Sequence, residues 1–204
     1  MTTSAILLAG GQSRRMGVDK ATVLIAGQPL WQRQVHLLRE LRLQTVRLSA
    51  RTVPSWCPPD LEVMLDRPPS RGPLSGVAEG LRGLRTTHLL VLAVDLPRMT
   101  TAHLRKLCRM AQPGVGVIPW QGGHFEPLCA VYPAEAGALA ENALHRGWQS
   151  LQHLAQNLVW QSRARIYEPT REEQSLYSNM NTPFDIPGAG KDDAGRDSRD
   201  SRTG

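Results

Sequence analysis

The run Leu89-Leu90-Val91-Leu92-Ala93-Val94 is the longest strongly apolar stretch of the chain, and it ends on Asp95. A strand that is apolar at every position has no polar face to give to water, so it belongs in the middle of a parallel sheet covered by helices on both sides. Asp95 then emerges at the carboxyl end of that strand, where open α/β sheets gather their ligands. The run is far shorter than the roughly 18 residues of a membrane-spanning helix.

Short apolar runs alternate with longer helical patterns around it, as βα units do. Ala5 to Ala9 reads as a buried first strand, and Pro29 to Leu43 as a helix with its stripe on Leu30, Val35, Leu37, Leu38 and Leu41. Val46 to Ser49 and Glu62 to Leu65 fit two further strands, the second ending at Asp66. Gly72-Pro73 opens a helix carrying Leu74, Val77, Leu81 and Leu84, and Thr100 or Thr101 caps one that runs to Met110. Beyond Gly116, Val115 to Pro119, Leu128 to Tyr132 and Arg165 to Tyr167 read as strands, and Ala134 to His145 and Ser150 to Asn157 as helices. The expected architecture is a three-layer α/β domain, Rossmann-like, with a mostly parallel sheet.

At 204 residues the chain suits one such domain with a tail. Gly188 to Gly204 holds almost no apolar residue and reads as disordered, which leaves residues 1–187 as the domain. In the tail Lys191, Arg196, Arg199 and Arg202 balance Asp192, Asp193, Asp197 and Asp200, so the formal charge of +6 belongs to the domain. That charge favours an anionic partner. The basic residues are spread along the chain, and with two Phe and three Tyr a stacking platform for single strands is poorly supplied, so nucleic acid is not the expected partner. Three scattered cysteines without a C-x-x-C pair, and histidines without H-E-x-x-H spacing, point to neither zinc nor a redox dithiol. The N-terminus lacks a basic region, and the apolar stretch after it is too short for a secretory signal, so a cytoplasmic location without membrane contact is expected.

The stretch after the first strand, Leu8-Ala9-Gly10-Gly11-Gln12-Ser13-Arg14-Arg15-Met16-Gly17-Val18-Asp19-Lys20, combines glycines that admit close backbone approach with basic side chains suited to phosphate. It is not a P-loop, because Val18-Asp19 intervenes between Gly17 and Lys20, and it is not G-x-G-x-x-G. Spacing and composition alone leave an ordinary glycine-rich turn equally open. Asp66 as a plain loop residue, Asp95 as a structural strand end and Asn181 as a turn former before Thr182-Pro183 stay open in the same way.

This loop closely resembles the signature loop of the molybdopterin nucleotidyltransferase family, which includes the molybdenum cofactor guanylyltransferases. Gly27-Gln28-Pro29-Leu30, Gly72-Pro73-Leu74-Ser75-Gly76, Asp95-Leu96-Pro97 and Asn179-Met180-Asn181-Thr182-Pro183 resemble further family motifs in the same order, from Leu8 to Pro183. The resemblance implies transfer of GMP from Mg-GTP to the terminal phosphate of molybdopterin carrying molybdenum, with release of pyrophosphate. It implies nucleotide contacts from Leu8, Ala9, Gly10 and Gly11, charge compensation by Arg15 and Lys20, Asp66 on the guanosine side, and Asp95 as holder of Mg2+. Asn181 would lie near the acceptor or the nucleotide. Molybdoenzymes or their chaperones would receive the product. The family position that supplies an asparagine after the second strand is Ser49 here, a hydroxyl in place of an amide. Only Val18 separates Gly17 from Asp19, where some relatives carry an extra glycine. Relatives that choose CTP resemble Leu-Ala-Ala-Gly where this chain has Leu8-Ala9-Gly10-Gly11, which favours guanine over a cytidylyltransferase. A sugar-nucleotide pyrophosphorylase is a weaker third choice, since many of those carry a long C-terminal sugar-binding or hexapeptide region. A noncatalytic nucleotide or nucleic-acid binding module would have no need of both Lys20 and Asp95.

Overall fold

A computed structural model describes residues 1–9, 19–67, 70, 72–148 and 150–180. The proposed boundary at residue 187 and the tail lie outside the described residues. Strand β1 (Thr3–Leu8) is followed by a short hairpin, β2 (Leu24–Ile25) and β3 (Gln28–Pro29), then helix α1 (Leu30–Glu40), β4 (Val46–Ala50), β5 (Val63–Leu65), α2 (Pro73–Leu81) and β6 (His88–Ala93). Helix α3 (Thr101–Met110), β7 (Gly116–Gln121), β8 (His124–Phe125), β9 (Cys129–Pro133), α4 (Ala136–His145), α5 (Leu151–Trp160), β10 (Ala164–Tyr167) and a 3-10 turn over Glu173–Tyr177 complete the described chain.

The main sheet runs β10-β7-β9-β6-β1-β4-β5, with β8 paired to β7. Strands β6, β1, β4 and β5 are mutually parallel, β10 is parallel to β7, and β9 runs antiparallel to both β6 and β7. The period of two along each strand distributes its side chains between two cores. Ala5, Leu7, Leu90 and Leu92 face one side, with Leu30, Val35 and Leu38 of α1 and Leu104 and Leu107 of α3. Ile6, Leu89 and Val91 face the other, with Leu74 and Val77 of α2, Ala140 of α4 and Leu154 and Leu158 of α5. This is the expected three-layer α/β arrangement, and every residue of β6 is buried. Among the described residues no helix is long and apolar enough to cross a membrane.

Helix α1 stops at Glu40, although Leu41 and Leu43 extend the apolar stripe. Arg42 adopts a left-handed backbone (φ 54°), and the Gln44 N–H donates to the Thr3 carbonyl, so the chain turns into β4 before the stripe is exhausted. The β2–β3 hairpin, turning at Ala26 (φ 51°) and Gly27 (φ 79°), and β8, which follows Gly122 and Gly123, are additions to the expected elements. Helix α4 starts at Ala136 instead of Ala134, whose N–H is taken by the Thr87 carbonyl, and α5 runs on to Trp160.

The chain leaves β1 for β4 and β5 on one side of it and returns through α2 to β6 on the other. The crevice at the carboxyl ends of β1 and β6 is therefore the topological switch point of the sheet.

Candidate active site

An open cleft of about 160 Å³ lies at that crevice, lined among the described residues by Leu8, Ala9, Asp19, Lys20, Ser49, Asp66, Gly72, Pro73, Gly76, Ala93, Val94, Asp95 and Leu128. Leu8 and Ala9 leave β1 with their main chain pinned on both sides. The Ala9 N–H donates to the Ser49 carbonyl at 3.0 Å, and the Leu8 carbonyl accepts from the Val94 N–H at 3.0 Å. The approach to Gly10 thus starts from rigid sheet.

Lys20 opens a 3-10 turn (Lys20–Thr22) capped by Asp19, whose Oδ1 accepts from the Ala21 N–H at 3.0 Å. Asp19 Oδ2 accepts from the Trp56 indole N–H at 2.8 Å, and Trp56 stacks on Trp31 with ring centroids 5.1 Å apart. Lys20 Nζ lies 3.5 Å from Asp95 Oδ2, both side chains largely but not wholly covered. Asp95 is fixed from behind, where its carbonyl accepts from the N–H of the fully buried Met180 at 2.9 Å. The loop beyond it is gripped by α1, with Gln34 Nε2 donating to the Leu96 carbonyl at 2.7 Å and Arg33 Nε to that of Pro97 at 3.2 Å.

Asp66 occupies the other flank of the cleft. Its N–H donates to the Ala50 carbonyl at 3.0 Å, which extends the β4–β5 ladder by one step and aims the carboxylate out of the strand end. Ser70 Oγ donates to Asp66 Oδ2 at 2.7 Å, and Ser49 Oγ lies 3.5 Å from Oδ1. Ser49 is the last-but-one residue of β4 rather than a residue following the strand, and it is buried, so its hydroxyl reaches the cleft through the sheet floor.

Leu8, Ala9, Lys20, Ser49, Asp66 and Asp95 are therefore brought to one cleft. Gly10, Gly11, Arg15 and Asn181 lie outside the described residues. Three contributors escaped sequence reasoning as site residues. Ser70 carries no signal. Gly72, with φ 71°, occupies a backbone region disfavoured for L side chains at the start of α2. A Cβ on Gly76 would come within 2.5 Å of Ser49 Oγ and 2.7 Å of Leu8 Cδ2. Both glycines stand in the Gly72-to-Gly76 motif, which is where their signal lay.

Among the described residues no group of three or more His, Cys, Asp or Glu side chains could hold a metal ion. What the cleft offers is a carboxylate and an ammonium group on one flank and a hydroxyl-buttressed carboxylate on the other. That set suits a ligand with a polyanionic part and a part bearing hydrogen-bond donors.

Residues 5–162 match the model of the MobA-like NTP transferase domain. A probable molybdenum cofactor guanylyltransferase of Opitutus terrae is 37% identical over 88% of this chain and 90% of its own. A molybdenum cofactor guanylyltransferase of Pseudomonas fluorescens is 35% identical over 88% and 90%. The crystal structure of molybdopterin-guanine dinucleotide biosynthesis protein A from Archaeoglobus fulgidus superposes with a TM-score of 0.69 at 23% identity, covering 90% of this chain and 94% of that one. A 2-C-methyl-D-erythritol 4-phosphate cytidylyltransferase from Thermus thermophilus shares the fold at a TM-score of 0.62 and 14% identity, covering 89% and 94%.

Proposed function

The chain belongs to the MobA-like NTP transferase domain family, and on that premise we propose that it is a molybdenum cofactor guanylyltransferase, transferring GMP from Mg-GTP to the terminal phosphate of molybdopterin carrying molybdenum. The observation that carries the reading is the convergence of Lys20, Asp95 and Asp66 at the switch-point cleft of a sheet with this family's topology.

An oxygen of the acceptor's terminal phosphate attacks the α-phosphorus of GTP in line. The new bond is P–O–P, the α–β anhydride bond breaks, and pyrophosphate departs with the electron pair. A phosphate oxygen is already a competent nucleophile, so positioning and charge compensation carry the catalysis rather than a covalent side chain. Lys20 supplies a point charge on the triphosphate flank, backed by the main chain that Asp19 and Trp56 hold. Arg15 and the backbone of Gly10 and Gly11 complete the phosphate side in this assignment. Asp66, an acceptor-only group when ionised, meets the donors of the guanosine, and Ser49 and Ser70 keep it turned toward them. Asn181 is assigned to the acceptor or nucleotide side in the same proposal.

The donor set fits magnesium in one specific manner. The Asp95 carboxylate is a single hard ligand from the protein, and Mg2+ is commonly held by one or two carboxylates together with substrate phosphate oxygens and waters. When bound, the ion neutralises charge developing on the leaving pyrophosphate. Asp95 is kept in place for this role by its main chain.

The test is pyrophosphate release from Mg-GTP in the presence and absence of molybdenum-loaded molybdopterin. Release that depends on the acceptor and is specific to GTP is expected. Release at the same rate without acceptor would make the protein a hydrolase and overturn the reading.

A further inference from the structure

Behind Asp95 lies a buried polar cluster that the reaction does not use. Tyr177, at the end of the Glu173–Tyr177 turn, and His103, in the first turn of α3, are both almost fully buried, and Tyr177 Oη lies 2.6 Å from His103 Nε2. The rings meet edge to face at 5.4 Å. His103 Nδ1 faces Glu173 Oε1 at 3.4 Å, and Glu173 is itself fixed by Lys106 Nζ at 2.8 Å, by Tyr167 Oη and by the Thr170 N–H at 3.0 Å. Burial holds the His103 imidazole below its ordinary range and pushes the Tyr177 hydroxyl up, so the neutral pair has one consistent arrangement. In it Nδ1 carries the proton and faces Glu173 Oε1 without a hydrogen bond to it, and the Tyr177 O–H donates to Nε2.

Such a chain of polar groups ties the C-terminal turn to α3 in one register. Hydrophobic packing of the turn alone would tolerate sliding, whereas a buried hydroxyl that loses its acceptor is penalised. The register matters because Met180, three residues beyond Tyr177, places its N–H on the Asp95 carbonyl at 2.9 Å. We propose that the Tyr177–His103 pair is a positioning latch for the transfer reaction, fixing the C-terminal turn so that Met180 grips the Asp95 main chain. The inference rests on the proposed role of Asp95. Neither residue is among the described residues that line the cleft. The latch acts on kcat through the aim of the Asp95 carboxylate, and on GTP affinity much less, because Asp66 and the β1 end bind the nucleoside from the opposite flank.

The experiment compares the full chain with Tyr177→Phe, which removes one oxygen, and with His103→Gln, whose amide oxygen can stand where Nε2 accepts. Four quantities are read: amide hydrogen exchange of Met180 by NMR, kcat, KM for GTP, and the melting temperature. In Tyr177→Phe the Met180 amide exchanges about fivefold to tenfold faster and kcat falls by a similar factor, while KM for GTP changes less than about twofold. In His103→Gln both exchange and kcat stay near the wild type. A Tyr177→Phe protein that melts lower yet keeps wild-type Met180 exchange and kcat overturns the latch, because the pair then only stabilises. So does a His103→Gln protein as impaired as Tyr177→Phe. A wild type that makes no product counts against the proposed reaction, and Met180 exchange, which needs no turnover, then decides the latch by itself.

Discussion

Adding one methyl group at Gly76 should separate the packing of the cleft floor from the stability of the fold. The new Cβ would stand 2.5 Å from Ser49 Oγ and 2.7 Å from Leu8 Cδ2, whereas comfortable carbon contacts lie near 3.5–4.0 Å. Each neighbour must therefore retreat by roughly 1 Å, and both line the cleft. Overpacking of this kind costs about 1–3 kcal/mol, and replacing a helical glycine by alanine returns about 1 kcal/mol, so the net loss is about 0–2 kcal/mol. At about 2–4 °C per kcal/mol for a chain of this size, Gly76→Ala melts no more than about 8 °C below the wild type. The displaced Ser49 hydroxyl no longer buttresses Asp66, and Leu8 is pushed toward the nucleoside, so KM for GTP rises about tenfold. Gly80→Ala, one turn further along α2, is the control. Its Cβ meets Ile6 Cδ1 and Leu89 Cδ2, both at 2.9 Å and both tips of flexible core side chains, so stability changes while KM stays as it was. Steady-state kinetics and thermal melts of the two variants decide the matter. An unchanged KM in Gly76→Ala, or an equal rise in Gly80→Ala, would refute the reasoning.

Lys20→Met keeps the apolar stem and removes the charge, and Asp95→Asn keeps the shape and removes the anion; each lowers kcat/KM about 100-fold or more with a near-normal melt, and retention of activity in either would detach the 3.5 Å pair from catalysis. Trp56→Phe preserves the stack on Trp31 but deletes the N–H held by Asp19, so kcat/KM for GTP drops about twofold to tenfold, and an unchanged value would show that Lys20 needs no support from this side. Acid lability is expected in two stages. Burial lowers the His103 pKa from 6.5, partly opposed by Glu173, so the unfolded chain takes up that proton first and stability begins to fall as pH drops through about 6.5. Burial alone would raise the Glu173 carboxyl, but hydrogen bonds from Lys106, Tyr167 and the Thr170 N–H outweigh it and hold the group at about 2 against an ordinary 4.5; its contribution is present above 4.5 and lost as pH falls toward 2. Urea midpoints measured against pH should show Glu173→Gln with a flatter slope below pH 4.5, and an unaltered slope would contradict the assignment.

The alternation of short and long apolar patterns made the three layers legible, because a sheet covered on both faces needs strands like Leu89–Val94 and helices with one apolar stripe. The direction of β9 was not legible, since an apolar run reads the same in either orientation. The end of α1 was misjudged for a local reason: Leu41 and Leu43 continue the stripe, but the left-handed Arg42 and the Gln44–Thr3 hydrogen bond end the helix first. The β2–β3 hairpin escaped because two-residue strands have no period and its first turn residue is an alanine at φ 51°. At the site, Asp95 could be placed from strand logic, while Lys20, Ser49 and Asp66 needed the family motifs. The Tyr177–His103 contact joins residues 74 apart in the chain and has no signature in spacing at all.

The central claim is tested most directly by competition among nucleotides. ATP, GTP, CTP and UTP at equal concentrations are offered together with magnesium and molybdenum-loaded molybdopterin, and the dinucleotide products are separated and identified by mass. The molybdopterin guanine dinucleotide should dominate and disappear when GTP is omitted. A cytosine dinucleotide as the main product would contradict the assignment of the base, and the absence of any dinucleotide from a protein that binds Mg-GTP would contradict the transfer itself.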